Sequence, residues 1–275
     1  MEILDEIYKQ LKQEDRIKEC FYVTDLGVCP RKVIMDFGDY KKKPLTNAER
    51  LMFHKAESDH REMATLLNYS NRYSIMKQEM SINDGLPEMW HGRLDCLVYD
   101  LQLNEMFPVD WKGTRSLKYQ VELPKANHVL QVKCYIWALY QMNYPVNKGK
   151  LIYTDRTGSY DGMEFEVDGD IRELSPLMQV YEVAYRIYEQ DKTLPNMLPR
   201  IIKQIKDEYY LIPDWQCGYC KYQGLSCKPN MSKNKIAEIK DNKLVMRKGY
   251  EEYEKHITSK KVEEDDFITF CNQGV

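Results

Sequence analysis

The sequence predicts a mixed α/β fold in which a mixed sheet is flanked by helices. Three segments with strand-like patterns follow one another between residues 73 and 114, separated by the turn-forming NDGLP and the polar DLQLNE. The strongly helical segment PKANHVLQVKCYIWALYQMN comes next, and KGKLIYTDR predicts a further strand. An antiparallel meander that continues into a helix and another strand is typical of a mixed sheet with helical cover.

Further helices are predicted before and after this region. Helical periodicity marks Glu2–Lys18 and the segment LTNAERLMFHKAESDHREMATLL, for which Thr46 or Asn47 is a suitable N-cap. Another amphipathic helix is predicted in DIRELSPLMQVYEVAYRIYEQ. Residues 231–275 are charged, and we expect them to form a helix and a tail that pack against the rest.

The composition is that of an ordinary globular protein, with 43% hydrophobic and 30% charged residues among 275. Because 40 basic residues stand against 43 acidic ones, any nucleic-acid partner must be bound by a local basic groove and not by a global field. The N-terminal segment lacks the apolar region of a signal peptide, and no apolar run approaches the roughly 20 residues of a membrane span. We therefore expect a cytoplasmic protein with no membrane partner.

A candidate catalytic motif lies in FPVDWKGT. Side chains alternate along a strand, so Asp110 and Lys112 project from one face and Trp111 from the other. Asp95, in the preceding strand HGRLDCLVYD, lies among apolar residues, where a carboxylate is costly unless a cation accompanies it. Two carboxylates from neighbouring strands form a hard oxygen site that suits Mg²⁺ or Mn²⁺. A lone D-x-K motif is more often a solvated strand face or an ion pair.

Gln131 and Tyr135 add to this motif from the following helix. They are four residues apart, so they lie on the same helical face. Taken alone, Gln131 would edge an apolar stripe and Tyr135 would be a core residue. The order of Asp95, then D-x-K, then Q-x-x-x-Y resembles the PD-(D/E)XK nuclease superfamily in its RecB-like branch.

This resemblance implies a restriction-endonuclease-like core that hydrolyses phosphodiester bonds with one or two Mg²⁺ or Mn²⁺ ions. The implied metal ligands are His60, Asp95, Asp110 and the backbone carbonyl of Trp111. Ala56 stands four residues before His60, where the family usually has glycine. Lys112 would orient or deprotonate the attacking water and stabilise the transition state. Gln131 and Tyr135 would position the DNA strand and a phosphate beside the metal.

Four of the eight cysteines form a second candidate site. Cys217 and Cys220 form a C-x-x-C motif, and Cys227 follows after six residues. A closed site needs a fourth soft ligand, for which Cys29 in GVCPRKV fits best. The spacing alone suits an iron–sulfur cluster and Zn²⁺ about equally. The resemblance, which extends to AddB-type and CRISPR-associated exonucleases, implies a [4Fe–4S] cluster, with zinc as the less favoured occupant.

The predicted organisation is a single composite domain over residues 1–275. Residues 46–192 would form the nuclease core, residues 20–45 and 195–230 the cluster-binding parts, and residues 231–275 a charged extension. Basic and aromatic side chains near these parts are candidates for DNA contacts, although such runs are more often solvated faces. They are Tyr22, Arg31, Lys32, Arg115, Lys118 and Tyr119.

The predicted function is that of a metal-dependent DNA exonuclease acting on single-stranded DNA or DNA ends. Its role would lie in recombination, repair or CRISPR spacer acquisition, with protein partners in such a complex. The alternative is a DNA-binding or assembly module that keeps the fold and the cluster but has weak catalytic activity. Binding of Mn²⁺ at the Asp95 and Asp110 site would discriminate between the two.

Overall fold

The computed structural model describes residues 2–11, 17–114, 117, 123–159, 161–195, 200–213, 215–228, 233–240, 243–249, 251, 254 and 268–270. The chain divides into two compact units. Unit 1 consists of Met1–Val28 and Leu45–Arg186, and unit 2 of Cys29–Pro44 and Ile187–Val275. Along the part of the chain that the structure describes, no helix combines the length and the apolarity that crossing a membrane would require.

The helices are α1 (Glu2–Gln10), α2 (Pro30–Met35), α3 (Asn47–Leu67), α4 (Ala126–Gln141), α5 (Leu174–Asp191) and α6 (Trp215–Gly218). The strands are β1 (Phe21–Tyr22), β2 (Tyr73–Ser81), β3 (Trp90–His91), β4 (Arg93–Asp100), β5 (Glu105–Thr114), β6 (Lys148–Asp155), β7 (Met163–Asp168), β8 (Arg200–Ile205), β9 (Glu208–Pro213), β10 (Asn234–Lys240), β11 (Lys243–Met246) and β12 (Ile268–Phe270).

Unit 1 is built on a five-stranded mixed sheet in the order β2-β4-β5-β6-β7. Strands β2, β4 and β5 form the predicted antiparallel meander, with Cys96 opposite Val109 between β4 and β5. Strand β6 runs parallel to β5, with α4 in the connection, and β7 pairs antiparallel with β6. The predicted mixed sheet with flanking helices is confirmed.

Helix α3 begins with the predicted N-cap. The Thr46 hydroxyl accepts a hydrogen bond from the backbone N–H of Glu49, whose carboxylate in turn accepts one from the Thr46 N–H at 2.7 Å. Further along, α3 packs on one face of the sheet. The apolar cluster between them consists of Ala64, Cys96, Val98, Phe107, Val109 and Trp111.

Helix α4 packs its buried face against the other face of the sheet, opposite to the one that carries the Trp111 side chain. The hydroxyl of Tyr135 on α4 lies 3.5 Å from the carboxylate of Asp110, a neighbour of Trp111 on β5. Gly85, in a short 3₁₀ turn, fits directly against the backbone of α4, because a Cβ at this position would lie 2.1 Å from the carbonyl oxygen of Ala138. Helices α3 and α4 therefore contact opposite faces at β5.

Unit 2 contains a second five-stranded sheet in the order β11-β10-β9-β8-β12, in which every pairing is antiparallel. Its core consists of Ile202, Tyr209, Leu211, Ile236 and Ala237. Residues 234–246 lie in a region for which a helix and a tail were expected. That expectation was wrong for the described residues, because Ile236 and Ala237 are buried in a strand pairing with β9.

The N-terminal helix is shorter than predicted. Helix α1 ends at Gln10, and Ile17 and Lys18 are not helical. The side chain of Lys18 instead pairs at 2.6 Å with Asp25, which follows β1. Residues 12–16 of the predicted helix lie outside the described residues.

Candidate functional site

Asp110 and Lys112 form a close ion pair on the α4 side of the sheet. The Lys112 Nζ donates a hydrogen bond to Asp110 Oδ1 at 3.0 Å and lies 2.7 Å from Asp110 Oδ2. Asp110 is fully buried, whereas the Lys112 side chain is 20% exposed. The Oδ2 contact does not have hydrogen-bond geometry, so this buried oxygen accepts no hydrogen bond. An acceptor in this position can bind a further cation.

On the neighbouring strand β4, Cys96 is paired with Val109, so Asp95 lies opposite Asp110 at the next position of the register. Its Oδ2 accepts a hydrogen bond of 2.9 Å from the backbone N–H of Trp111, which fixes the carboxylate beside β5. Its Oδ1 lies 3.4 Å from the Nδ1 of His60 on α3. The sheet and α3 thus bring three predicted ligands together from separate parts of the sequence, namely His60, Asp95 and Asp110.

Gln131 and Tyr135 are buried on α4 and contact each other, as their spacing of four residues predicts. The Gln131 Nε2 donates a hydrogen bond to the Tyr135 hydroxyl. That hydroxyl is 3.1 Å from the Arg93 carbonyl oxygen, to which it donates, and 3.5 Å from Asp110 Oδ1. The pair therefore borders the Asp110 carboxylate from the helix side. The side chain of Trp111 packs in the α3 cluster on the opposite face.

Burial and neighbouring charges shift the pKa values of Asp110 and His60. Loss of solvent raises the pKa of Asp110 to about 6; the Lys112 charge opposes this increase, and the Asp95 charge adds to it. Burial alone would lower the pKa of His60, but its interaction with Asp95 outweighs that effect, and the net change is an increase. The Asp110 carboxylate and the His60 imidazole thus lie in an environment that favours added positive charge.

Glu79 is a candidate site residue that the sequence pattern did not predict. Among the described residues, one group of three potential ligand atoms lies within 4.8 Å of one another, and it joins Glu79 to His60 and Asp95. Glu79 also forms an ion pair of 2.8 Å with Arg93. The alternation of β2 did not reveal this position, because the register of β2 against β4 shifts between Ile75 and Lys77.

A second missed interaction links α4 to β6 near Lys112. The register pairs Lys112 with Tyr153. The Tyr153 hydroxyl accepts a hydrogen bond from the backbone N–H of Lys125 at 3.0 Å and lies 2.8 Å from the Nδ1 of His128. Burial lowers the pKa of His128 to about 3, and the Lys112 and Lys125 charges contribute, so the imidazole is neutral. These two contacts hold Tyr153 against the start of α4, near Lys112.

The four predicted cysteine ligands lie together in unit 2. Cys29, Cys217, Cys220 and Cys227 line one small pocket. The backbone N–H of Cys29 donates to the Gln216 side chain at 3.1 Å, which joins the start of α2 to α6. Burial raises the pKa of Cys29 to about 11, and the neighbouring thiols of Cys220 and Cys227 add to the increase. The thiols that line this pocket would become thiolates when a soft metal binds.

Further contacts hold the cysteine-bearing loop on residues 29–44. The Tyr222 hydroxyl donates to Asp36 Oδ1 at 2.7 Å, and Lys221 pairs with the same carboxylate at 2.6 Å. The backbone N–H of Lys43 donates to the Lys221 carbonyl at 2.8 Å. Two segments whose contacting residues are up to 186 positions apart in sequence therefore form one structure around the pocket.

Three of the candidate DNA-contacting residues, Arg115, Lys118 and Tyr119, lie outside the described residues. Tyr22 is 44% exposed in unit 1, and the Nζ of Lys18 lies 5.3 Å from the centre of its ring. Arg31 and Lys32 line the cysteine pocket of unit 2. The guanidinium of Arg31 donates to the Pro195 carbonyl at 3.1 Å, so it already has a structural partner.

Comparisons with known proteins identify a family for most of the chain. The family model described as the PD-(D/E)XK nuclease superfamily matches residues 3–227. Among solved structures, the one titled "Crystal structure of SSO0001" is similar over 80% of this chain and 90% of that chain, with 19% sequence identity and a TM-score of 0.42. No curated protein matches the chain.

Proposed function

The chain belongs to the PD-(D/E)XK nuclease superfamily, and we propose that it is a metal-dependent deoxyribonuclease that degrades DNA from its ends, with single-stranded DNA as the preferred substrate. The observation that carries this proposal is the buried Asp110 carboxylate, which lies beside Lys112 on β5 and next to Asp95 on β4. Carboxylates that can hold a metal ion, with a lysine beside them that can orient water, are suited to metal-assisted phosphodiester hydrolysis.

The residues of the centre fit a divalent metal ion. Asp110 Oδ2 is buried and accepts no hydrogen bond, and loss of solvent raises the pKa of this carboxyl group. A bound cation would offset the free-energy cost of burying the ionised carboxylate. We propose that His60, Asp95, Asp110 and the Trp111 carbonyl hold Mg²⁺ or Mn²⁺. When bound, such an ion lowers the pKa of a water molecule and neutralises charge on the scissile phosphate.

The remaining side chains would perform the positioning and proton transfer. Lys112 is part exposed and is held at 2.7 Å from Asp110, so its ammonium group can orient the attacking water and stabilise the negative charge of the transition state. Tyr135 and Gln131 support Asp110 from α4. Trp111 fixes Asp95 through its backbone N–H, while its side chain anchors β5 in the α3 cluster.

We propose the preference for ends and single strands because the order of the motifs resembles that of the RecB-like branch. In the same way we propose a role in recombination, repair or CRISPR spacer acquisition, together with protein partners of such a pathway. Unit 1 would carry the nuclease core and unit 2 the cysteine cluster.

We propose that the cysteine pocket holds a [4Fe–4S] cluster. Four zinc-bound sulfurs would lie about 3.8 Å apart, because Zn–S bonds are about 2.3 Å long. Within the described residues, no three of the four sulfurs lie within 4.8 Å of one another. This wider spacing favours a group larger than a single ion. Burial raises the pKa of the Cys227 thiol, whereas the charge of Arg31 and its hydrogen bond act to lower it and so favour the thiolate form.

The test of activity uses purified protein, end-labelled single-stranded DNA and either Mg²⁺ or Mn²⁺. We expect Asp110→Ala and Lys112→Ala to reduce the cleavage rate at least a hundredfold with an unchanged circular dichroism spectrum. The matched control is Lys150→Ala, which removes a lysine of the neighbouring strand that pairs with Glu164 and Glu166. Cleavage at the wild-type rate by both site variants would refute the assignment.

A second substrate separates end-dependent cleavage from internal cleavage. A covalently closed single-stranded circle has no ends, so we expect it to resist digestion while the linear form of the same sequence is degraded. Rapid cutting of the circle would make the enzyme an endonuclease. Tight DNA binding without Mn²⁺ binding or cleavage would instead favour a DNA-binding or assembly module.

A further inference from the structure

Glu79 lies where a ligand of the metal centre would lie. Its strand neighbours Gln78 and Met80 are paired with Cys96 and Leu94 on β4, so Glu79 is opposite Asp95. One carboxylate oxygen of Glu79, one of Asp95 and one ring nitrogen of His60 all lie within 4.8 Å of one another. Divalent cations such as Mn²⁺ bind carboxylate oxygens and imidazole nitrogens at about 2.0–2.2 Å, which places their ligands at this separation.

The Asp110 carboxylate provides an independent indication of a cation next to this group. It is fully buried, its Oδ2 accepts no hydrogen bond, and it interacts electrostatically with both Asp95 and His60. Asp110 does not itself belong to the group that lies within 4.8 Å, and Lys112 holds it at 2.7 Å. Glu79, His60 and Asp95 therefore stand at ligand spacing, whereas Asp110 must shift to join them.

The ion pair between Glu79 and Arg93 does not account for this placement. The Arg93 side chain is 65% exposed and that of Glu79 is 36% exposed, and such exposed pairs contribute little to stability. A surface ion pair also does not require the carboxylate to approach a second carboxylate. The ion pair involves Glu79 Oε2, and a carboxylate can bind a metal ion through either of its oxygens.

We propose that Glu79 is a direct ligand of the divalent cation at this centre, in addition to His60, Asp95 and Asp110. This inference rests on the proposed function for the presence of that cation. The oxygen from Glu79 adds a third carboxylate, so the centre favours hard cations such as Mg²⁺ and Mn²⁺ over softer ones. Glu79 approaches from β2, the edge strand of the sheet.

The experiment measures Mn²⁺ binding by titration calorimetry in the absence of DNA. We expect Glu79→Gln to weaken Mn²⁺ binding at least tenfold or to lose one bound ion per chain. The matched control is Arg93→Gln, which removes the same ion pair but leaves the carboxylate in place, and we expect it to bind Mn²⁺ as the wild type does. Equal affinity of Glu79→Gln and wild type would overturn the inference, as would an equal loss in both variants.

Thermal unfolding gives a readout that does not depend on how stable each variant is. A ligand that binds only the folded state raises the melting temperature, so each variant is compared with and without excess Mn²⁺. We expect the Mn²⁺-induced increase to be smaller for Glu79→Gln than for wild type and Arg93→Gln. If Glu79→Gln loses Mn²⁺ but the wild type does not cleave DNA, only the proposed function fails. If the wild type cleaves DNA and Glu79→Gln binds Mn²⁺ normally, only the present inference fails.

Discussion

At the scale of single residues, the centre depends on polar groups whose partners come from distant parts of the chain. Tyr135 is the clearest case, because it is buried and its hydroxyl contacts Gln131, the Arg93 carbonyl and Asp110. Burial and the nearby Asp110 charge raise the pKa of Tyr135, so the phenol remains protonated and able to donate. The hydroxyl thus serves both the fold and the position of the carboxylate.

Tyr135→Phe should therefore destabilise the protein by about 1–3 kcal/mol, because it leaves the buried Gln131 amide and the Arg93 carbonyl without their partner. Urea unfolding followed by circular dichroism measures this change. Tyr140→Phe is the matched control, since Tyr140 lies on the same helix and is 65% exposed. An effect of the same size in both variants would mean that the Tyr135 hydroxyl has no special role in stability.

At the scale of elements, the sequence patterns correctly predicted which side chains share a face of one strand or one helix. The alternation of Asp110, Trp111 and Lys112 placed the two charged side chains on one face, and the helical period placed Gln131 beside Tyr135. Both follow from the backbone of one element. The position of Glu79 could not be obtained in this way, because it depends on an irregular register between β2 and β4 and on a left-handed backbone conformation with φ of +50°.

The strands of unit 2 show a second limit of local patterns. Strand β10 has the sequence NKIAEIK, in which Lys, Glu and Ala favour a helix over a strand. Its identity is determined by pairing with β9 and β11, and pairing partners are not visible within a short segment. The helix expected there was therefore wrong for a tertiary reason.

The contact between a 3₁₀ turn and α4 gives a prediction at this scale. Gly85→Ala would place a methyl group 2.1 Å from the Ala138 carbonyl oxygen, so the turn or the helix has to move. We expect a loss of stability of about 1–3 kcal/mol, typical of overpacking. Asp84→Ala, in the same turn but exposed, should change stability by less than about 0.5 kcal/mol. Equal unfolding curves for Gly85→Ala and wild type would show that the close approach is not maintained in solution.

At the scale of the whole molecule, the two compact units are each discontinuous in sequence. Unit 2 joins Cys29–Pro44 to the chain after Ile187, and unit 1 occupies most of the sequence between them. Within unit 2, the hydrogen bonds of Tyr222 and Lys43 connect the two segments, and the four cysteines line the pocket that both segments share. A metal group bound by these cysteines would close a long loop of chain, and its binding free energy would stabilise the fold.

Cys29→Ser tests this role, because Cys29 is the ligand that belongs to the N-terminal segment of unit 2. We expect anaerobically purified wild-type protein to be brown and to contain about four iron and four sulfide ions per chain, as a [4Fe–4S] cluster requires. The variant should lose the visible absorption and become more sensitive to limited proteolysis after residue 187. Cys134→Ser is the control, since Cys134 is a buried cysteine of α4 outside the pocket. Colourless wild-type protein with one zinc ion and no iron per chain would instead show that the pocket binds zinc.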